Sequence, residues 1–365
     1  MLYVAKPDLA PLNECMKFIR QIWSSRILTN DGEMVRHFEL AVSRSLNVKY
    51  FAAVQNGTLA LQLALKALGR KGKIVTTPFT FAATTTSILW EGFTPTFVDI
   101  NPKTFNLSPD CVEEAIDDDT VAILPVHVFG VPSDVYRFDK IAKNHNLSII
   151  YDAAHAYGVS THGRSILRYG DFSTLSFHAV KVLNSFEGGG IVSSNLNSHK
   201  MVKLLRNFGI KNEEEILVPG INAKMNEFEA AVGLSNLRHI ERWKKKRKSL
   251  YGEYLDILSG IDHLTFQEIP EQEYNYAYMP ILLDSQKQRD RLYNFMIKNG
   301  VHPRKYFYPL TSDLPFIDKT WISKIDTAKN ISGRILTLPI YSSLALNQVR
   351  KVCSMVRKGI KDTKS

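Results

Sequence analysis

A chain of 365 residues that is 44% hydrophobic can bury a full core, and its length fits two domains, or one large domain with a smaller appendage, rather than a disordered or fibrous chain. Three scattered cysteines, Cys15, Cys111 and Cys353, have no metal-ligand spacing and cannot all pair, which argues against a metal site and fits a reducing cytoplasm. The formal charge of +10 raises nucleic acid as a partner, but much of the excess sits in one run, Arg242-Trp-Lys-Lys-Lys-Arg-Lys248, which reads as the solvated face of a helix with no nucleic-acid motif beside it.

Lys6, Pro7 and Asp8 interrupt Met1–Ala10, so no signal peptide is expected there. No apolar run reaches the roughly 18 residues that span a bilayer, so no membrane partner is expected. Residues 1–29 read as an approach arm, weakly helical at Phe18–Trp23 and turning at Leu28-Thr29-Asn30-Asp31-Gly32. The spacing of Val35, Phe38, Leu40, Val42 and Leu46 predicts a helix leading into a strand at Tyr50–Val54. Asn56-Gly57-Thr58 follows, then Leu59–Leu68, apolar on nearly every side and therefore a buried helix. A glycine turn feeding a helix N-terminus presents free N–H groups to a phosphate. An ordinary strand-to-helix turn explains Gly57 equally well.

The strand Ile74–Thr77 ends at Pro78-Phe79-Thr80-Phe81, where an aromatic ring could stack on a flat ligand or simply pack. Helix Ala83–Trp90, strand Thr96–Asp99, a helix near Asp110–Ile116, strand Val121–Val126 and helix Phe138–His145 come next. His127, at a strand end, reads as a structural histidine. Leu147–Asp152 is a buried strand that ends on a carboxylate, and in an open parallel sheet ligands sit beyond the carboxyl ends of strands. Lys181 stands 29 positions later (181 − 152), between the strand Ser173–Phe177 and the run Ile191-Val192, with Val180, Val182 and Leu183 around it. Apolar neighbours lower a lysine's pKa and make it a better nucleophile; a surface lysine and a helix-capping aspartate are the plain alternatives. Together the two residues fit a pyridoxal phosphate site, the lysine holding the cofactor's aldehyde and the acid keeping its pyridine nitrogen protonated.

The segments Asp152-Ala-Ala-His155-Ala-Tyr-Gly158, Ser176-Phe-His178-Ala-Val-Lys181 and Glu187-Gly-Gly189 resemble, in this order, the sugar aminotransferases of the DegT/DnrJ type, and the resemblance runs from about Leu28 to Leu338. It implies a fold-type I α/β architecture: a mostly parallel seven-stranded sheet flanked by helices in residues 30–245, and a smaller α+β domain in 246–365. It also implies pyridoxal 5'-phosphate as cofactor, with Lys181 and Asp152 catalytic. Gly57, Thr58 and Ser176 are expected at the cofactor phosphate, Phe81 rather than Phe79 on its ring, and His155 at its phenolic oxygen, where many members carry Gln. Asn222 resembles an asparagine that members donate across a homodimer interface. Thr29, His178, Lys305 and Tyr306 are expected near the sugar.

In the remaining chain, Lys200–Asn207 reads as a helix, Met225–Leu255 as one long helix bridging to the small domain, and Tyr276–Leu283, Val301–Tyr306 and Leu336–Ile340 as strands alternating with helices Arg289–Lys298 and Asp326–Arg334. A final helix covers Leu346–Lys358, and the residues around Lys364 read as a frayed tail. The implied reaction moves an amino group from L-glutamate to a dTDP-linked keto-deoxysugar. The pattern Ser-Phe-His-x-x-Lys followed by Glu-Gly-Gly points to carbon 4 of dTDP-4-keto-6-deoxyglucose; amination at carbon 3, or a regulator that binds the cofactor without turnover, are the rival readings.

Overall fold

The computed structural model describes residues 1–269 and 273–361. A seven-stranded sheet forms the centre, in the spatial order Phe51–Val54, Gly189–Ser193, Phe172–Ser176, Ser148–Asp152, Thr120–Leu124, Lys73–Thr76, Thr94–Phe97. Gly189–Ser193 runs antiparallel to both its neighbours, and all the other pairings are parallel. The expected mostly parallel sheet is therefore present, and its strands are largely buried on both faces, the edge strand Thr94–Phe97 alternating buried and half-buried residues. Phe38, Phe138, Phe177 and Trp243 mark the core on one face, and Leu61, Leu65, Ile88 and Leu205 that on the other.

A second sheet of three strands, Leu264–Phe266, Met279–Leu283 and Ile335–Leu338, packs with the helices Gln286–Lys298 and Leu346–Lys361 around Leu250, Tyr254, Leu292, Met296 and Val352. Leu2–Tyr3 pairs in parallel with Val301–His302, which ties the start of the chain to this region. Two elements differ from expectation. The single helix expected over Met225–Leu255 is two helices, Glu227–Leu237 and Ile240–Leu258. The His239 amide bonds back only three residues, to the Asn236 carbonyl, and its Nε2 lies 3.0 Å from Glu14. This turn resets the axis so that Ile240 and Trp243 still meet the large core while Leu250, Tyr254 and Leu258 enter the smaller one. No Gly or Pro marks the break. The strand expected over Val301–Tyr306 stops at His302, because Pro303 has no N–H to offer a ladder and Arg304 makes only an isolated bridge to Thr337. The tail at Lys364 lies outside the described residues. Among the described residues no helix is long and apolar enough to cross a membrane.

Candidate active site

A pocket opens beyond the carboxyl ends of the parallel strands, where such sheets place their ligands. Its floor is Asp152, the last residue of its strand and 6% exposed. The backbone there is fixed on both sides: the Asp152 amide donates to Pro125 O at 2.9 Å and its carbonyl accepts from the His127 amide at 3.0 Å. Thr84 Oγ1 donates to one carboxylate oxygen at 2.7 Å, and the Ala154 amide to the other at 3.1 Å. Burial pushes this carboxyl above its ordinary pKa, against the pull of Thr84, Ala154 and Lys181.

Lys181 follows a tight turn in which its amide bonds the His178 carbonyl at 2.8 Å. Val182 and Leu183 are buried behind it, as their apolar character requires. Loss of water around the amine lowers its pKa to about 8, while Asp152 and Tyr306 pull it back up. Its Nζ donates to Tyr278 Oη at 3.3 Å.

On one wall the helix Gly57–Ala67 points its N-terminus into the pocket, capped by Asn56, whose side chain accepts from the Leu59 amide at 2.9 Å. The first-turn amides of such a helix have no partners within it. Ser176 stands against this turn: a Cβ on Gly57 would lie 2.8 Å from the Ser176 Cβ. The cradle formed by Gly57, Thr58 and Ser176 thus suits a phosphate. Phe81, 57% exposed, lines the pocket, whereas Phe79 is buried in edge-on contact with Phe105, Phe129 and Phe307.

His155 is buried, its ring stacked on Phe129 and Phe307. Its Nδ1 accepts from the Phe129 amide at 3.2 Å. Desolvation, reinforced by Lys181, holds its pKa well below the ordinary value. A neutral imidazole that accepts at Nδ1 carries its proton on Nε2, so it offers a donor. An aldehyde-reactive amine, a buried carboxylate, a neutral N–H donor, an exposed aromatic face and a phosphate cradle therefore share one pocket. That set fits pyridoxal 5'-phosphate.

His178 lines the pocket, its Nε2 3.6 Å from Glu187, and Tyr306 lines it as well. Three expected residues are elsewhere. Lys305 is turned to Asp290, with Nζ–Oδ1 at 2.5 Å, and lies over the Tyr293 ring, so its charge is already matched. Thr29 and Asn222 are exposed and do not line the pocket of their own chain. His127 is buried, with Nδ1 accepting from the Ser133 amide at 3.0 Å, in keeping with a structural part. Sequence reading missed Thr84, Tyr278 and Phe307. Thr84 lies in the first turn of the helix Ala82–Trp90, and its hydroxyl is 2.7 Å from that of Thr80, which precedes the helix. Tyr278 had no local signal, being brought to Lys181 from 97 positions away.

Residues 12–357 match the model of the DegT/DnrJ/EryC1/StrS aminotransferase family. A dTDP-4-amino-4,6-dideoxy-D-glucose transaminase of Shigella dysenteriae is 38% identical over 98% of each chain. One of the same name from Escherichia coli is 38% identical over 97% of each. Among solved structures, DesI in the presence of its TDP-sugar product superposes with a TM-score of 0.95 at 30% identity, covering 100% of this chain and 94% of that one.

Proposed function

The chain belongs to the DegT/DnrJ/EryC1/StrS aminotransferase family, and from that premise we propose that it carries the amino group of L-glutamate to carbon 4 of dTDP-4-keto-6-deoxyglucose, giving dTDP-4-amino-4,6-dideoxyglucose. Two relatives that bear the name of this product's transaminase support the sugar and the nucleotide. The observation that carries the catalytic reading is the meeting of Lys181, Asp152 and the Gly57–Thr58–Ser176 cradle in one pocket.

Pyridoxal 5'-phosphate, when bound, supplies the aldehyde that takes up the amino group and the ring that draws in electrons. The protein's residues do the rest. Lys181, with a pKa near 8, is partly neutral in mildly alkaline solution, and so can take a proton from the donor's alpha carbon and return it at the cofactor. Asp152, fixed by Thr84 and Ala154, faces the position for a protonated ring nitrogen. A cation there offsets the burial that otherwise raises its pKa. His155 would donate from Nε2 to the cofactor's phenolic oxygen, Phe81 would lie against its ring, and the helix N-terminus would hold its phosphate. His178, tied to Glu187 at the rim, restricts which sugar carbon can approach, since about an ångström of misplacement slows a reaction severely.

The site is completed by a second copy of the chain. Asn222 stands on a segment that exposes Phe208, Ile216 (70% exposed) and Leu217, an apolar ridge suited to self-association. In a two-fold dimer Asn222 would reach the partner's pocket. The test is incubation with glutamate and a panel of dTDP keto sugars, with the product's proton coupling constants locating the amine. An amine on carbon 3 refutes the choice of sugar and leaves amino transfer standing.

A further inference from the structure

Tyr278 has no part in the steps above, yet its hydroxyl is the hydrogen-bond partner of Lys181 Nζ among the described residues, at 3.3 Å, with the ammonium 5.9 Å from its ring centroid. The tyrosine is not a loose rim residue. Its ring packs on His155 at 4.6 Å and on Phe129 at 5.3 Å between centroids. The backbone is pinned on both flanks. Upstream, the Asn275 side chain donates to the carbonyls of His155 and Tyr157 and accepts from the Ala277 amide. Downstream, the strand Met279–Leu283 begins at once. Between them the Ala277 carbonyl accepts from Arg247, 3.5 Å away, a buried guanidinium ion-paired with Asp8 at 3.0 Å and also donating to Ile340 O at 3.1 Å. Burial keeps the phenol protonated far into the alkaline range, so its oxygen stays an uncharged acceptor and donor.

We propose that Tyr278 is a positioning residue for Lys181: its hydroxyl holds the ε-amine whenever that amine is not bonded to the cofactor, and so keeps it aimed at the atoms between which it moves a proton. This rests on the aminotransferase reading of the site. A lysine bonded to the cofactor aldehyde has surrendered the hydrogens it donates to Tyr278, and one that has been displaced recovers them. A freed lysine has a flexible four-carbon stem and many rotamers. Within the described pocket a fixed hydroxyl selects among them, and Asp152 acts on the amine only through its field.

The test is Tyr278→Phe, which removes the oxygen and keeps the ring on His155 and Phe129. In cofactor-free protein, the rate of acetylation of Lys181, followed by peptide mass spectrometry across pH, reports the amine's titration; in the unsubstituted protein its midpoint is expected near 8. A hydroxyl accepting from an ammonium makes a charge-assisted bond roughly twice as strong as the neutral one it makes with the amine, so its loss disfavours the charged form and lowers the midpoint by about half to one pH unit. Placing 3-fluorotyrosine at 278 keeps the shape, weakens the oxygen as an acceptor, and shifts the midpoint the same way by less. In the loaded enzyme, kcat falls about tenfold with little change in the KM of the keto sugar, the pattern of a lost contact that serves the chemical step rather than binding. An unchanged acetylation midpoint in Tyr278→Phe overturns the proposal whatever happens to turnover. Failure of borohydride to fix pyridoxal phosphate on Lys181 would instead overturn the reading of the site, and the cofactor-free titration would still decide whether Tyr278 holds the amine.

Discussion

At Asp152 the protein buries a carboxyl group whose pKa burial raises. Two donors and the nearby lysine act against that rise, and a cation on the bound cofactor would act in the same sense. Asp152→Asn preserves the shape and removes that pairing. A hydrogen bond to a charged group contributes about 1.5–3 kcal/mol, and the weakened electron withdrawal adds to it. Each 1.36 kcal/mol is tenfold in rate, so turnover is expected to fall by at least about a hundredfold. The melting temperature of the cofactor-free variant is expected not to fall, because a desolvated carboxylate does little to stabilise the unloaded fold. Near-normal turnover in steady-state assays would reduce Asp152 to a structural cap. Asp152 was legible in the sequence because it ends a buried apolar strand, and Lys181 because it stands among apolar residues on the connection that follows the strand Phe172–Ser176. Tyr278 was not legible, since nothing local to it anticipates a contact made across the fold.

Among the elements, the Gly57–Ala67 helix illustrates how a turn and a strand fix one another. Ser176 ends the strand Phe172–Ser176, and the space for a Cβ at Gly57 is taken by the Ser176 Cβ at 2.8 Å and its Cα at 3.3 Å. Because one of those atoms is backbone, Gly57→Ala must displace the helix start rather than a flexible side chain. Overpacking of this kind costs about 1–3 kcal/mol. If it is felt at the phosphate cradle, cofactor binding weakens by about tenfold to a hundredfold. Titration of pyridoxal phosphate into the cofactor-free variant, followed by absorbance, measures this; unchanged affinity would remove Gly57 from the cradle. The alternating strands and helices of the large sheet were readable because each apolar run is short, of one period, and closed by turn formers. The break at Arg238–His239 was not, because it depends on Glu14 and on two cores that share one helical stretch.

At the scale of the whole molecule, the exposed Asn222 sets a test of shared sites. Lys181→Ala and an Asn222→Ala variant are each expected to be inactive or nearly so. Mixed and allowed to exchange subunits, they form hybrids in which one of two sites has both residues intact, so up to about a quarter of the original activity should return under random pairing. No recovery, with exchange proven by mass spectrometry, would place Asn222 in its own chain's site or outside any site. The pairing of Leu2–Tyr3 with Val301–His302 bears on something else, the order of events at the ribosome. Residue 2 cannot find its partner until residue 301 has been made, and at roughly 5–20 residues per second that delay is about 15 to 60 s. Asp8 likewise waits for Arg247. The central sheet can therefore assemble during synthesis while the first residues remain unpaired, and the amino-terminal arm is among the last parts of the molecule to be locked down.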